Sequence, residues 1–431
     1  MKLKHLILSL LSITLIIFTI TFEFHTPTIK DAPISSNINS TISTSEQAII
    51  DSEAALKQQI AALASVLQKA EQLRLGYYYP EAISLLENNL ALSPTAIQLE
   101  IATVRTAQNA LVKYTGPIQH IFFHSLIVYP ELAFDGSQKA TGYNMWMTTV
   151  TEFQRMLPAL KERGYVLYDL AALVKTSGSS LVLQDIFLPP DKMPLIISQD
   201  DVNYYDYMAE NGFASRLVLN SQGQVATLVQ KPDKSYETTL TGDIVPILDS
   251  YVAENPAFSF RGAKGTLALT GYAGAFGYTI TDLQGANLAN DRLTVQKISA
   301  QLRATGWNIA NHSYTHNQSH RTGKLTLQSM EYDLERWQEL IMPYIGKTNI
   351  YISPFGVSYQ KNDPRFRTII QYGYQIFCSV ERTPRLHLQG DNLIMTRFNL
   401  DGYTFSHSPS YIKEHFFDVE QIRDVKRPPL N

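Results

Sequence analysis

Two short stretches of this 431-residue chain carry the residue types that divalent-metal chemistry needs. One is the acidic pair Asp200-Asp201. The other is Asn311-His312-Ser313-Tyr314-Thr315-His316. Two imidazoles and one carboxylate make a three-ligand set that leaves a coordination position open for water or substrate. The second carboxylate is then left over as a base. His320 follows closely, and the histidine stretch reads as a loop rather than as one face of a helix.

Each stretch is introduced by an apolar run: Pro194-Leu195-Ile196-Ile197-Ser198-Gln199 before the aspartates, and Gly306-Trp307-Asn308-Ile309-Ala310 before the first histidine. Ile-rich runs bounded by Pro or Gly read as buried strands. Both polar sets therefore stand where a strand gives way to a loop, the place where α/β folds collect their chemistry. The surrounding pattern agrees. Ile118 to Val128 reads as a strand, and a helix starts at Thr149 with Phe153, Met156, Leu157 and Leu160 on one face. Gly164 is its natural stop, and Pro158 predicts a kink or an early break. Strand Tyr165–Leu167, helix Ile244–Val252, strand Gly265–Thr270, a helix near Asp291–Ala304, a helix capped by Thr326 and strand Asn349–Ile352 continue the alternation. Repeated strand–helix alternation argues for a parallel sheet closed into a barrel.

Composition bounds the rest. With 45% hydrophobic and 17% charged residues the chain is globular, and a net charge of -3 without a long basic run argues against nucleic acid as a partner. One cysteine, Cys378, excludes an internal disulfide and any paired-cysteine metal site. Lys2 and Lys4 precede an apolar run from Leu6 to Phe22, which reads as an export signal. No small-residue cleavage site follows, so residues 1–24 are expected as an uncleaved signal anchor, with a cleaved signal peptide as the alternative. That predicts a single-pass location in a bacterial cell membrane, with the remainder extracytoplasmic. Residues 25–44 read as a flexible tether. Residues 45–115 read as a small all-α module: a helix from Ser45 to Leu75, stopped by Gly76, then one starting at Pro80, then one from Thr95 to about Tyr114. Ala82 to Pro94 is similar to the second helix of a tetratricopeptide unit, but the unit does not repeat, so a spacer or a docking site for a protein partner is expected rather than a solenoid.

The order of the pieces from residue 118 to 400 resembles the polysaccharide deacetylases, metal-dependent carbohydrate esterases that include chitin and peptidoglycan N-acetylglucosamine deacetylases. Phe123-His124-Ser125 looks like the family's early Tyr-His-Ser strand, and Thr151 to Tyr165 like the helix that follows in its longer members. Ser198-Gln199-Asp200-Asp201 stands where the family has Thr-Phe-Asp-Asp. His312-Ser313-Tyr314-Thr315-His316 matches its His-Ser/Thr-x-x-His, and Pro354-Phe355-Gly356 looks like the end of its Arg-x-Pro-Tyr-Gly. The resemblance implies a distorted (β/α) barrel over residues 116–431. It assigns Asp201, His312 and His316 to a divalent metal, zinc being the expected ion, and Asp200 to the general base. The Pro354-Phe355-Gly356 turn would contact substrate, with the Phe355 N–H aimed at the oxyanion. Tyr204, Tyr205 and Phe355 would offer flat faces to a pyranose ring or serve as core.

The departures are specific. Ile352 stands where the family has the arginine that holds the catalytic aspartate, and Arg397 in Met395-Thr396-Arg397-Phe398 is the residue that could replace it from the last strand. The later Asp…Trp and Leu-x-His motifs are not visible, which leaves His387, His407 and His415 as general-acid candidates. The function implied is hydrolysis of N-acetyl groups on a cell-wall or surface polysaccharide. The alternatives are a saccharide-binding module on the same fold and a deacetylase of another acetyl ester.

Overall fold

The structure is a computed structural model describing residues 36–178 and 180–430. The chain divides into two compact units, Met1–Leu63 and Ala64–Asn431. The expected membrane segment Leu6–Phe22 lies outside the described residues, and among those described no helix is long and apolar enough to cross a membrane. Helix α1, Ser36–Leu75, begins inside the stretch expected as a tether. No proline or glycine lies between Pro33 and Gly76, so nothing in that stretch stops a helix from extending.

The second unit contains the rest of the helical module as well as the barrel. Helices α2 (Tyr79–Glu87) and α3 (Pro94–Asn109) each start with a proline in the first turn, where its missing N–H costs nothing. α3 ends before the expected Tyr114, because Val112–Lys113 pairs antiparallel with Phe187–Leu188. The module is tied to the barrel rather than hanging from it. Tyr77 Oη donates to the Ala257 carbonyl at 2.9 Å, and Arg261 binds Glu81 while its guanidinium lies 4.8 Å over the Tyr78 ring.

Seven parallel strands close the barrel. In chain order they are β1 (Gln119–Phe123), β3 (Met193–Gln199), β7 (Thr266–Leu269), β8 (Asn308–Asn311), β9 (Ile350–Ile352), β10 (Ile376–Val380) and β12 (Leu393–Asn399). The ring runs β3–β7–β8–β9–β10–β12–β1 and back to β3, with every pairing parallel. Two further strands border it: β2 (Tyr165–Leu167) pairs with the first half of β3, and β11 (Leu386–Leu388) lies antiparallel to β12. An antiparallel sheet of β4 (Ala214–Leu219), β5 (Val225–Gln230) and β6 (Tyr236–Thr239) is inserted between β3 and β7. β1 is five residues long, not the eleven expected, so His124 falls on the loop at the barrel's C-terminal mouth.

The helices coat the ring: α4 (Gln138–Trp146), α5 (Val150–Glu162), α6 (Ile244–Glu254), α7 (Leu288–Ala304), α8 (Leu327–Leu340) and α9 (Pro364–Gln371), with α10 (Gly402–His407) following β12. α5 opens on a reciprocal capping box between Thr149 and Glu152 and buries Phe153, Met156, Leu157 and Leu160 as its periodicity predicts. It is not broken at Pro158. Pro158 and Gln154 are both exposed, so the carbonyl that loses its donor faces water. Gly164 ends the helix with φ of +98°, and a Cβ there would lie 2.7 Å from the Asp191 carbonyl oxygen. α8 begins at Thr326, whose side chain accepts from the Ser329 N–H, and buries Trp337. The Trp337 indole N–H donates to the Leu269 carbonyl at 2.9 Å and so fastens α8 to β7. Trp337→Ala should cost about 3–5 kcal/mol, because it leaves a large cavity behind β7 and removes one of the two hydrogen bonds to the Leu269 carbonyl, which keeps only that from the His312 N–H. Urea unfolding of the variant beside the wild type measures this directly.

Candidate metal centre

The strands deliver their polar residues to one end. Asp200 and Asp201 follow β3, His312 follows β8, and the Phe355 turn follows β9. Asp201, His312 and His316 converge so that one ligand atom from each lies within 4.8 Å of the others. Two imidazoles and a carboxylate at this separation fit a divalent ion with coordination positions to spare.

Each ligand candidate is oriented by a neighbour. His312 Nδ1 lies 2.7 Å from the Ile352 carbonyl and donates to it, which turns the lone pair of Nε2 toward the site. Burial pushes the His312 imidazole down to about 4, so it stays in the neutral, ligating form. Asp201 Oδ1 accepts from Thr270 Oγ1 at 2.7 Å and from Tyr205 Oη at 3.0 Å. Burial pushes the Asp201 carboxyl up, but the imidazoles of His316, His312 and His124 outweigh it and hold it below the usual carboxylate value. The loop carrying both histidines is gathered on one buried carboxylate, Asp333 of α8. Its Oδ1 accepts from Ser313 Oγ, the Thr315 N–H and Thr315 Oγ1, and its Oδ2 accepts from the Tyr314 N–H, at 2.6–2.8 Å. His320 is buried behind this loop, 3.3 Å from Ser313 Oγ, and is not one of the three converging ligands. Among the described residues, five of the ten non-glycine residues with positive φ stand in the loops after β3, β8 and β9: Asp201, Tyr204, Ser313, His316 and Phe355. Backbone held in that region costs energy that the surrounding contacts must supply, and such residues gather at working sites.

Asp200 is buried, and Arg397 of β12 binds it in a two-pronged fashion, Nη1 donating to Oδ1 at 2.7 Å and Nη2 to Oδ2 at 3.0 Å. Arg397 therefore holds the aspartate from β12, while Ile352 ends β9 as a buried apolar residue. The same guanidinium lies 4.1 Å above the Phe122 ring and donates to Ser198 Oγ, which in turn meets His120 Nε2 at 2.9 Å inside the barrel. Burial raises the proton affinity of Asp200, but Arg397 and then His312 overrule it and hold the carboxyl far below the usual range. Asp200 Oδ2 lies 3.8 Å from His312 Nε2.

These groups open into a cavity of about 580 Å³ lined by His124, Asp200, His312, His316, Arg397 and Phe355, with Trp146 and Tyr403 at its rim. The Phe355 ring packs on His316 at 4.5 Å, and Gly356 also lines the cavity, while Pro354 is buried beneath them. Tyr204 does not face the site. It is a core residue whose hydroxyl donates to Asp243. Tyr205 reaches Asp201 through its hydroxyl and stacks on Tyr207 and Tyr272. The three acid candidates lie elsewhere. His387 is exposed on β11, His407 is exposed and bonded to the Tyr403 carbonyl, and His415 packs on Tyr411. The histidine the structure does bring in is His124. Its sequence signal was its place directly after a barrel strand whose neighbour carries Asp200: Phe123 pairs with Gln199, and the Asp200 N–H donates to the Phe123 carbonyl.

No family model matches the chain, and no curated protein does. Solved structures similar to it include BA0330 from Bacillus anthracis and BC0361 from Bacillus cereus, both described as polysaccharide deacetylases. The first is 14% identical over 72% of this chain and 68% of its own, with a TM-score of 0.40. The second is 15% identical over 69% of each chain, with a TM-score of 0.37. At that level the likeness carries no argument about the site, whose reading rests on its own geometry.

Two outcomes follow from that geometry. Asp333→Ala should weaken metal binding by about 10- to 100-fold without touching a ligand, as loss of an orienting neighbour does, and chelator competition measures it. Separately, His312 binds its proton less readily folded than unfolded, so the metal-free protein should lose stability as pH falls from 6.5 toward 4. Melting temperatures of chelated protein across that window should fall less steeply for His312→Asn, which cannot titrate.

Proposed function

We propose that the chain is a metal-dependent hydrolase that removes N-acetyl groups from an N-acetylglucosamine-containing cell-wall or surface polysaccharide. The observation that carries the reading is the convergence of Asp201, His312 and His316 beside an Asp200 clamped by Arg397, at the mouth of one cavity. A binding module needs no ionised carboxylate fixed next to a ligand triad.

Asp201, His312 and His316 would hold the divalent ion, for which zinc is the natural choice with this donor set. When bound, such an ion polarises a carbonyl oxygen and acidifies water. Asp200, kept ionised by Arg397, accepts a proton from the water whose oxygen adds to the acetyl carbon. His124 gives a proton to the amide nitrogen as the C–N bond breaks, so acetate and the free amine leave. The Phe355 N–H at the turn after β9 is the donor we assign to the developing oxyanion. The export segment at Leu6–Phe22 would carry this activity to the outer face of the bacterial membrane, where such glycans lie. Protease accessibility on intact cells tests that location.

Acetate release from chitin oligomers, with metal content on the same samples, tests the reading. Asp201→Ala, His312→Ala and His316→Ala should each lose tight metal binding. Asp200→Asn should keep the metal and lose turnover by about 100-fold or more. Retained turnover in Asp200→Asn would refute the base assignment. His124→Gln should slow amide cleavage far more than cleavage of 4-nitrophenyl acetate, whose leaving group needs no proton. Equal slowing on both would remove His124 from the acid role. Metal-loaded protein that binds oligomers but frees no acetate from amide or ester would establish the saccharide-binding reading instead.

A further inference from the structure

The charged side chains that line the cavity do not cancel. Three acids line it, Asp200, Glu381 and Asp401. Asp200 is matched by Arg397 at 2.7 Å, and Glu381 by Arg385, also at 2.7 Å. Asp401 is buried and caps α10: its carboxylate accepts from the Thr404 N–H at 2.8 Å and from Asn399 Nδ2 at 2.5 Å. Two cations of the wall remain, Arg321 and Arg382. Both are exposed, and among the described residues no carboxylate pairs with either.

Both stand on backbone that is held in place. Arg382 comes two residues after β10. The N–H of the preceding Glu381 donates to the Arg397 carbonyl at 3.1 Å. Tyr411 Oη donates to the Arg382 carbonyl at 2.6 Å, and the Arg382 guanidinium lies 4.8 Å over the ring of the same tyrosine. Arg321 belongs to the ligand loop. Buried His320 precedes it, and the Leu325 N–H returns to the Ser319 carbonyl at 3.0 Å, closing the turn that presents it. A single surface arginine says little. Two at the mouth of one cavity concentrate positive charge in a chain whose net charge is -3. A concave wall of low dielectric focuses such a field, and a guanidinium matches the oxygens of carboxylate or phosphate two at a time.

We infer that Arg321 and Arg382 select an anionic glycan, one that carries a carboxylate or a phosphate on a sugar near the acetamide to be cleaved. The inference rests on the proposed function for the acetamide. It narrows the substrate from any N-acetylated polysaccharide to a charged one, for which neutral chitin is a poorer substitute.

The test uses the full zinc-loaded chain and three chitin pentamers that differ only at C6: the native hydroxyl, its oxidised carboxylate and its phosphate ester. Binding is read by calorimetry and turnover by acetate release. At low salt the wild type should favour a charged pentamer over the neutral one by about tenfold in affinity and in kcat/KM. Added salt should shrink that ratio. Either charged pentamer winning upholds the inference and names the group. Arg321→Gln and Arg382→Gln should each lower the ratio and together bring it near one, with zinc content unchanged. Arg382→Lys, which keeps the charge, should lower it less than Arg382→Gln. A wild-type ratio of one, or a ratio that survives the double variant, would overturn the inference. An arginine-dependent preference in binding, with no acetate released from any pentamer, would uphold it and refute the hydrolase reading. Acetate released equally from all three would do the reverse.

Discussion

The site depends on a charge pair sunk into the barrel mouth. Arg397 and Asp200 are almost wholly removed from water, and taking both ions out of solvent costs several kcal/mol that only close, two-pronged geometry offsets. Such a pair is weak evidence for stability and stronger evidence that the position of one partner matters. Here the arginine comes from β12 and the aspartate follows β3, with β1 between them in the ring. The pair therefore spans three strands, and Phe122, Ser198 and His120 complete its surroundings from β1 and β3. The clamp fixes both oxygens of Asp200 and, against burial, holds its carboxyl well below the usual carboxylate range.

Much of this was legible in the sequence because strand ends and loops are local. The apolar runs before Asp200 and His312 marked β3 and β8, and the His312 to His316 spacing marked the ligand loop. The amphipathic faces of α5 and α8 were legible with their caps. Arg397 could be named only as a substitute, because its meaning lies in a contact with a residue 197 positions away. His124 was quoted but not recognised as lining the cavity for the same reason. The parallel register that sets Phe123 beside Gln199 is a property of the closed sheet, not of either segment. Asp333 left no motif at all. One acid on a helix looks like any solvated charge until the helix is packed against the ligand loop.

The misread segments share a cause as well. The Ser-, Thr- and Asn-rich sequence before Ser45 was read as a tether because it lacks periodicity, yet α1 begins at Ser36, inside that stretch, where no proline or glycine forbids a helix. Tyr204 was left open as a sugar-facing or a core ring, and it is a core ring: its hydroxyl donates to Asp243, which also accepts from Gln199 and the Leu126 N–H. Pro158 was expected to kink or break α5, and the helix runs through it because the carbonyl that loses its donor, Gln154, is exposed to water. In each case the local rule held and the surroundings decided its sign.

The His312 imidazole takes its orientation from the carbonyl of residue 352, not from that residue's side chain. A backbone partner is indifferent to what is attached to its Cα. Position 352 can therefore carry isoleucine without disturbing the ligand, and its side chain is free to serve the buried interior of the barrel wall. The two duties, steering an imidazole and clamping a carboxylate, thus fall to different strands: the main chain of β9 performs the first and the Arg397 side chain of β12 the second.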